Sequence, residues 1–339
     1  MMKTLVVDTD HAGRRIDRYL QAMVPDAGFG LVQKLIRKGA VRLDGRKVNA
    51  DHRIEVGQEI VLPQSLAERL NSTSQQPVNQ SALSPMEARW LEQMRQCVVA
   101  DANDVLVFNK PAGLAVQGGS KTKVHVDGLL EHFIDDDGRK PKLVHRLDRD
   151  TSGVLLTARG GKAAAMTSQF ASRETEKVYL AWCWGQPKEL SGVVIAPLLK
   201  RGGQGSGGNQ DLVVVDANDG AFAESHYRVL ATGRVSSGVG PRISLIEWQP
   251  RTGRTHQLRV HAAHLGNSIV GDPKYGHKPK LDLNDPDQSI LAAAGLQLHA
   301  ARLKIGIDAV TKTFKAEAPN SMQALTSLID ADPKEIFDT

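Results

Sequence analysis

The chain has 339 residues, 41% of them hydrophobic and 24% charged, a composition typical of a folded globular protein with more than one domain. Its net charge is +5, and its two cysteines, Cys97 and Cys183, lie far apart in sequence, which argues against a disulfide framework or a cysteine-rich zinc site. No apolar run approaches the roughly 20 residues of a membrane span, and the N-terminus lacks a signal-peptide core, so we expect a cytoplasmic protein.

Residues 13–62 predict a small module of helices and strands. Apolar residues at helical spacing indicate one helix around residues 16–23 and a second around residues 31–36. The dipeptide Asp44-Gly45 between two short apolar-basic stretches is a strong signal for a two-residue β-hairpin. The run Glu59–Leu62 predicts a closing strand.

Basic charge is concentrated in this module. Between residues 13 and 53, ten Lys or Arg residues face four Asp, and the resulting +6 exceeds the net charge of the whole chain. A phosphate-binding surface requires such a concentration, and a solvated helical face is the alternative. The stretches RIDRYL and LVQKLIRKGAVRLDGRKV resemble the small RNA-binding domain named after ribosomal small-subunit protein S-four. The resemblance implies RNA contacts by six residues: Arg18, Lys34, Arg37, Lys38, Arg42 and Lys47.

Residues 63–96 are mostly polar, and over 63–89 they lack periodicity, so we expect a linker with the domain boundary inside it. Over residues 97–329 apolar strands outnumber helices, which favours an α+β domain on a mixed, mostly antiparallel sheet. Five glycines within 202–209 predict a mobile loop. The predicted strands are Val105–Phe108, Val154–Thr157, Tyr179–Trp184, Val193–Ala196, Leu212–Val215 and Ile243–Trp248. The predicted helices are Lys162–Ser172 and Thr255–Leu265.

The stretch HRLDRDTSG, residues 145–153, dominates the second domain. Apolar runs before and after it predict a polar turn between two strands. The turn carries two carboxylates, two guanidiniums, an imidazole and two hydroxyls. A turn between buried strands is a stiff platform of the kind that holds catalytic groups, and a solvated charged hairpin is the alternative.

Three further stretches carry reactive or charged side chains: Asn109–Gly113, Lys177–Tyr179 and Arg251–His261. The last has three histidines nearby, His256, His261 and His264, but the arginines around them repel a divalent cation and no acidic or cysteine ligand completes a site. A phosphate-loop interpretation of the glycines near residue 113 fails because the required lysine is missing.

Two hydrolytic alternatives centre on the turn itself. A Ser-His-Asp triad of Ser152, His145 and Asp148 lacks the GxSxG nucleophile elbow, and Ser152 beside Gly153 is explained by turn formation. Asp148 and Asp150, two residues apart on one turn, are poorly placed to flank a sugar from opposite sides.

Four stretches, HRLDRDTSG, NKPAGLAVQGG, EKVYLAWCWG and TGRTHQLRVHAAHLGNSIVGDPKYG, resemble in order and spacing the motif regions of the RluA family of RNA pseudouridine synthases. With the N-terminal module, VHRLDRDTSGVLL and APLLK narrow the resemblance to the RluC-type branch, which acts on large-subunit ribosomal RNA. It implies that residues 97–329 form the catalytic domain of an isomerase that needs no cofactor or metal. Ribosomal RNA is the implied partner, and a monomer is the default state. The sequence does not identify the uridines and leaves transfer RNA open as a substrate.

The resemblance assigns roles residue by residue. Asp148 resembles the essential aspartate, which acts at the target uridine by covalent addition or by assisting proton removal from the sugar. Arg259 resembles the arginine that pairs with it, so we expect an ionised carboxylate with a fixed rotamer. Tyr179 resembles the tyrosine beside the base, and Arg146 the arginine that fills the space of the extruded base. The remaining implied substrate-binding residues are His145, Lys110, Arg254, Thr255 and His256.

The sequence is compatible with two other functions. The first module alone would suffice for a non-catalytic RNA-binding or ribosome-assembly factor, although such a protein need not keep Asp148, Tyr179 and Arg259 together. A small-molecule hydrolase using Asp148 is disfavoured by the concentrated basic charge.

Overall fold

The computed structural model describes residues 3–9, 11–24, 27, 29–75, 83–119, 122–202, 212–236 and 238–329. The chain divides into two compact units, residues 1–83 and residues 84–339.

The first unit contains a four-stranded antiparallel sheet in the order β1-β4-β2-β3. The two predicted helices, the hairpin and the closing strand are confirmed, and Asp44 and Gly45 adopt the positive φ values, 48° and 74°, that a tight hairpin turn requires. The elements are β1 (Lys3–Val6), α1 (Ile16–Met23), α2 (Phe29–Arg37), β2 (Arg42–Leu43), β3 (Arg46–Lys47), β4 (Glu59–Leu62) and α3 (Gln64–Gln75).

A single apolar cluster forms the core of this unit. Ile16 and Leu20 of α1 and Val32 and Ile36 of α2 are fully buried there, together with Ile60 of β4. Residues four apart lie on the same face of a helix, so each helix buries one face and leaves its basic side chains on the other.

The stretch 63–96, expected to be a linker, contains two helices. α3 belongs to the first unit, because Leu66 and Leu70, one helical turn apart, are buried in its core. α4 (Pro85–Gln96) belongs to the second unit and begins at a capping box formed by Ser84 and Glu87. The many Ser, Asn and Gln residues between them hide this pattern in the sequence, and residues 76–82 lie outside the described ones.

The second unit is built on a ten-stranded sheet with the main order β10-β13-β14-β9-β15-β8-β6-β5, to which β16 is added at β15 and β7 at β8. The pair β8 and β15 is parallel and the other pairs are antiparallel, so the mixed α+β fold is confirmed. The remaining elements are β5 (Val98–Ala102), β6 (Val105–Lys110), α5 (Val126–Leu129), β7 (Lys142–Leu143), β8 (Ser152–Ala158), α6 (Gly160–Ser172), β9 (Glu176–Trp184), β10 (Ser191–Ile195), β11 (Leu198–Arg201), β12 (Leu212–Val215), β13 (Glu224–Arg234), β14 (Arg242–Pro250), α7 (Gln257–His264), α8 (Pro286–Ala293), β15 (Leu298–Ile307), β16 (Val310–Lys315) and α9 (Asn320–Ser327).

Each strand and helix predicted in this unit overlaps an observed one, and several of the observed strands are longer. β13 and β15 were not predicted, although both lie inside the sheet. β11 and β12 pair as a separate two-stranded sheet, and the predicted mobile loop over 202–209 lies outside the described residues from 203 onward.

Close backbone contact fixes the position of the turn before β8. Gly153 has φ 111° and faces Ala300 of β15, whose carbonyl oxygen would lie 2.2 Å from a Cβ atom placed on Gly153. Ser152 Oγ lies 2.9 Å from Nδ1 of His299, also in β15. The turn therefore ends at the parallel junction of two central strands.

Candidate active site

The turn 144–151 places Asp148 at the wall of a cleft. The apolar side chains Val144 and Leu147 are buried and anchor the turn, and the Thr151 N–H donates to the Asp148 carbonyl. The side chain of Asp148 is 26% exposed, which is enough to meet a ligand.

The cleft has a volume of about 340 Å³, within the range of small-ligand sites. The turn before β8, the start of β9 and the start of α7 supply its polar side chains, so residues more than 100 positions apart form one site. Apart from Lys110, the residues that the sequence assigned to catalysis or to the substrate all lie in its wall: Asp148, Tyr179, Arg259, Arg146, His145, Arg254, Thr255 and His256.

Tyr179 is held in its protonated form at the cleft wall. Burial raises the pKa of its phenol, and the negative charge of Asp148 raises it further. A neutral phenol can donate its proton in a hydrogen bond, whereas a phenolate would repel the carboxylate.

Arg259 does not form the expected ion pair with Asp148. Its Nε and Nη2 atoms donate to the two carboxylate oxygens of Asp272 at 2.8 and 2.7 Å, and both side chains are buried. A planar guanidinium is satisfied by one carboxylate bound in this bidentate way, so Asp148 is left as a separate charge in the same cleft. Sequence spacing carried no sign of this partner, although Asp272 lies in one of the quoted motif stretches.

The nitrogen that faces the Asp148 carboxylate belongs to His256, whose Nε2 lies 3.9 Å from Oδ2 of Asp148. His256 precedes α7 in a left-handed conformation, with φ 52°. Its other ring nitrogen, Nδ1, lies 2.6 Å from the hydroxyl of Tyr275, a residue to which the sequence assigned no role. Burial lowers the pKa of His256, against the opposing effect of Asp148, so the ring is neutral at pH 7.

Three predicted substrate residues are exposed at the cleft. Arg254 donates from Nε to the Phe222 carbonyl, which leaves the rest of its guanidinium to solvent. Thr255 is exposed beside it. Arg146 makes no hydrogen bond or ion pair within the described chain, so its guanidinium is available to a ligand.

Lys110 and His145 both make polar contacts within the fold. Lys110 is fully buried, and Nζ lies 2.8–3.0 Å from the carbonyl oxygens of Pro111, Leu114 and Arg149, so its amino group has its acceptors within the fold. The ring of His145 stacks on Phe170, and its Nε2 accepts the N–H of Leu156. These contacts fix the turn. His145 lies in the cleft wall, so its expected contact with substrate stays a prediction, whereas Lys110 lies outside the cleft lining.

The metal and triad alternatives are not supported by the geometry. His261 uses both ring nitrogens, on Ser225 and on the Ala196 carbonyl, and the described residues contain no group of three potential ligands for a metal ion. Ser152 contacts His299 instead of His145. Within the described part of the chain, every helix is too short or too polar to span a bilayer.

The basic residues that the sequence predicts to contact RNA are exposed, as a binding surface requires. All six predicted RNA-contacting residues lie at the surface: Arg18, Lys34, Arg37, Lys38, Arg42 and Lys47. Arg42 also donates to the Gly45 carbonyl across its hairpin. Their contact with RNA remains a prediction.

Comparison with known proteins links this site to one family. The family model for RNA pseudouridylate synthases matches residues 104–264. The ribosomal large subunit pseudouridine synthase C of Escherichia coli (strain K12) is 32% identical over 94% of this chain and 93% of its own length. The Vibrio cholerae protein of the same name is 31% identical over 96% of each chain. The structure of human RNA pseudouridylate synthase domain containing 4 covers 72% of this chain and 97% of its own, with 24% identity and a TM-score of 0.58, which shows a shared fold.

Proposed function

Because this chain belongs to the RNA pseudouridylate synthase family, we propose that it isomerises uridines of large-subunit ribosomal RNA and that Asp148 acts on the target nucleotide. One observation carries the assignment of Asp148. Its carboxylate lies on a fixed turn and opens into a cleft that also holds Tyr179, His256 and Arg259.

The reaction needs only groups that this cleft provides. Cleavage of the bond between C1′ of the ribose and N1 of uracil must be followed by rotation of the base and formation of a C1′–C5 bond. The proton on C5 is lost and N1 gains one, so the product is an isomer and no electrons or groups are exchanged. Asp148 acts at the ribose, either by adding to C1′, a bond that breaks again when C5 attacks, or by taking a proton from C2′ that returns to C2′ as the C1′–C5 bond forms. Tyr179, protonated and beside it, assists proton transfer at the base.

Access to the base requires extrusion of the uridine from its helix. Extrusion costs a few kcal/mol of stacking and pairing, which a side chain occupying the gap recovers in part. Arg146 is suited to this role, because its guanidinium is planar, exposed and without a partner in the described chain. Arg254 and Thr255, exposed at the same cleft, contact the RNA backbone.

The choice of ribosomal RNA is supported by relatives that match nearly the whole chain and carry large-subunit pseudouridine synthase names. The first unit contributes affinity for RNA through its basic surface. The target uridine is selected by the shape of the RNA around the cleft. A cytoplasmic location and a monomeric state are part of the same proposal.

Replacement of Asp148 by Asn tests the assignment. We expect Asp148→Asn to abolish pseudouridine formation in a large-subunit rRNA transcript while RNA binding persists. Asp150→Asn is the matched control, since Asp150 is a half-exposed carboxylate of the same turn outside the cleft lining, and it should stay active. Retained activity in Asp148→Asn would disprove the role of Asp148.

A map of pseudouridines with and without the gene tests the substrate. Loss of pseudouridine from large-subunit rRNA supports the proposal. Loss of pseudouridine from transfer RNA alone would show that transfer RNA is the substrate instead. No loss of pseudouridine from any RNA would favour a non-catalytic RNA-binding protein.

A further inference from the structure

We propose that Tyr275 is a positioning residue that keeps the proton of His256 on Nε2, so that an N–H group faces the Asp148 carboxylate. The inference rests on the proposed function, in which Asp148 acts on the target uridine. It concerns three side chains whose contacts form one continuous path from β12 to the cleft.

The hydroxyl of Tyr275 has two polar neighbours. The backbone N–H of Val213 donates to its oxygen at 3.2 Å, and Nδ1 of His256 lies 2.6 Å from the same oxygen. An amide N–H can only donate, so the phenol oxygen is the acceptor in the first contact. The hydroxyl proton is left for His256, because the Tyr275 side chain is buried and no other acceptor contacts it in the described chain.

This hydrogen bond selects one tautomer of the imidazole. A neutral histidine has one protonated nitrogen and one acceptor nitrogen. With the proton on Nδ1, His256 would donate to Tyr275 and the buried hydroxyl proton would have no acceptor, which is unfavourable. Nδ1 is therefore the acceptor, and the single ring proton lies on Nε2.

In this tautomer the protonated Nε2 faces the Asp148 carboxylate. Nε2 lies 3.9 Å from Oδ2 of Asp148, too far for a hydrogen bond but close enough for electrostatic attraction. Contacts of this kind are often long in a free enzyme and shorten when substrate binds. In the other tautomer a lone pair would face the carboxylate and repel it.

The surroundings hold both partners in place. Tyr275 donates its backbone N–H to Oδ1 of Asp272, and the guanidinium of Arg259 lies 4.9 Å from the centre of its ring. The charged groups that face His256 are the anions Asp148 and Asp272 and the cations Arg259 and Lys274. The buried Arg259–Asp272 pair thus fixes Tyr275, and Tyr275 fixes His256.

The tautomer can be measured directly in the full chain with ¹⁵N-labelled histidine. Long-range ¹H–¹⁵N correlation spectra distinguish protonated from unprotonated ring nitrogens, and the His256→Gln variant assigns the His256 signals. We expect a protonated Nε2 and an unprotonated Nδ1 in the wild type. A protonated Nδ1 in the wild type would overturn the inference without the need for any variant.

Tyr275→Phe tests whether the hydroxyl is the cause. The ring and its contact with Arg259 are kept, so the fold is expected to persist, but the signals of His256 should shift toward a mixture of tautomers. An unchanged tautomer in the folded variant would contradict the role of Tyr275.

Kinetics provide a second readout. One neutral hydrogen bond corresponds to up to about tenfold in rate, so kcat of Tyr275→Phe should fall by up to about that factor with KM unchanged. Tyr227→Phe is the control, because its buried hydroxyl donates to the Glu189 carbonyl, away from the cleft lining, and its kcat should not change. A change in KM with kcat unaltered would contradict the inference.

The two proposals fail in different ways. If Asp148→Asn stays active, the proposed function fails. If Asp148→Asn is inactive but His256 carries its proton on Nδ1, only the present inference fails.

Discussion

Asp272, which lies outside the cleft lining, fixes the position of Arg259. Its side chain and that of Asp272 are 4% and 1% exposed, and two short hydrogen bonds fix the plane of the guanidinium. A buried charge without its partner is strongly unfavourable. Asp272 therefore determines where the cation of the site lies, although it does not line the cleft itself.

Asp272→Asn should consequently damage both stability and activity. We expect the free energy of unfolding to fall by about 3–5 kcal/mol, the usual cost of breaking a buried ion pair, and pseudouridine formation to be largely lost. The double variant Arg259→Met/Asp272→Leu should recover part of the stability and none of the activity. An apolar pair replaces the two charges, but the backbone N–H groups of Lys274 and Tyr275 lose Oδ1 of Asp272 as their acceptor. Urea unfolding and the rRNA assay measure the two effects. A stable and active Asp272→Asn would show that the pair is dispensable.

Lys110 is a second buried basic group that acts through the turn. Nζ joins β6 to the Arg149 carbonyl, one residue after Asp148. Burial lowers the pKa of Lys110 to about 7, against the opposing effect of Asp150 and Asp148. In the unfolded chain its pKa is the ordinary 10.5, so between about pH 7 and pH 10.5 the unfolded state binds more protons.

The free energy of unfolding should therefore rise with pH over that window, by about 1 kcal/mol per pH unit from this group. Lys110→Met lacks the titrating group. The free energy of unfolding of the wild type minus that of the variant should therefore increase from pH 7 to pH 9. Urea unfolding at the two pH values measures it. Lys188→Met, at an exposed lysine of the same unit, is the control and should show a constant difference. A constant difference for Lys110→Met would mean that the buried amine titrates normally.

Residue types were predictable here, but their partners were not. The motif stretches singled out Asp148, Tyr179 and Arg259, and the structure brings them to one cleft. The bond of Arg259 to Asp272 depends on how the loop after α7 returns to the helix, which no local pattern encodes. Lysine is usually exposed, so nothing in the sequence around Lys110 indicated its burial, which depends on three carbonyls that converge on Nζ.

At the scale of elements, the parallel pairing of β8 with β15 positions the turn that carries Asp148. Gly153 lies at this junction with φ 111°, and the carbonyl of Ala300 occupies the space that a side chain would need. Both the backbone conformation and the close approach therefore require glycine.

Gly153→Ala should destabilise the second unit severely. We expect a loss of more than about 2 kcal/mol, since left-handed strain and overpacking each cost on the order of 1–3 kcal/mol. Gly161→Ala is the matched control: Gly161 lies in α6 with open space around its Cβ position, so alanine there should stabilise by up to about 1 kcal/mol. Thermal melts of both variants test the contrast, and equal melting temperatures would contradict it.

Local pattern also explains which elements were predictable. α1 and α2 bury residues four apart, and the hairpin carries Asp44-Gly45, so short windows of sequence suffice to identify them. β13 mixes half-buried polar and apolar positions, and its period is interrupted by a bulge between Val229 and Ala231. Its strand character comes from its two neighbours in the sheet and not from its own sequence.

At the scale of the whole molecule, charge is distributed unevenly between the two units. Residues 13–53 carry +6 of a chain whose total is +5, so the remainder is close to neutral. The ten basic side chains of that segment are exposed, and Arg15 is partly neutralised by its ion pair with the buried Asp17. Affinity for a polyanion should therefore come mostly from the first unit, whereas the chemistry belongs to the second.

A triple alanine variant of exposed cations in and just after α2 tests whether the first unit supplies the RNA affinity. The residues changed are Lys34, Arg37 and Lys38. Each lost phosphate contact should lower the slope of log affinity against log salt by about 0.7–0.9, so we expect a slope reduced by up to about 2–3 and weaker rRNA binding at low salt. Because the chemistry lies in the other unit, kcat at saturating RNA should persist. The control changes three exposed lysines of the second unit to alanine and should leave the slope nearly unchanged; these are Lys188, Lys312 and Lys315. Equal salt slopes for the two triple variants would place the phosphate contacts elsewhere on the molecule.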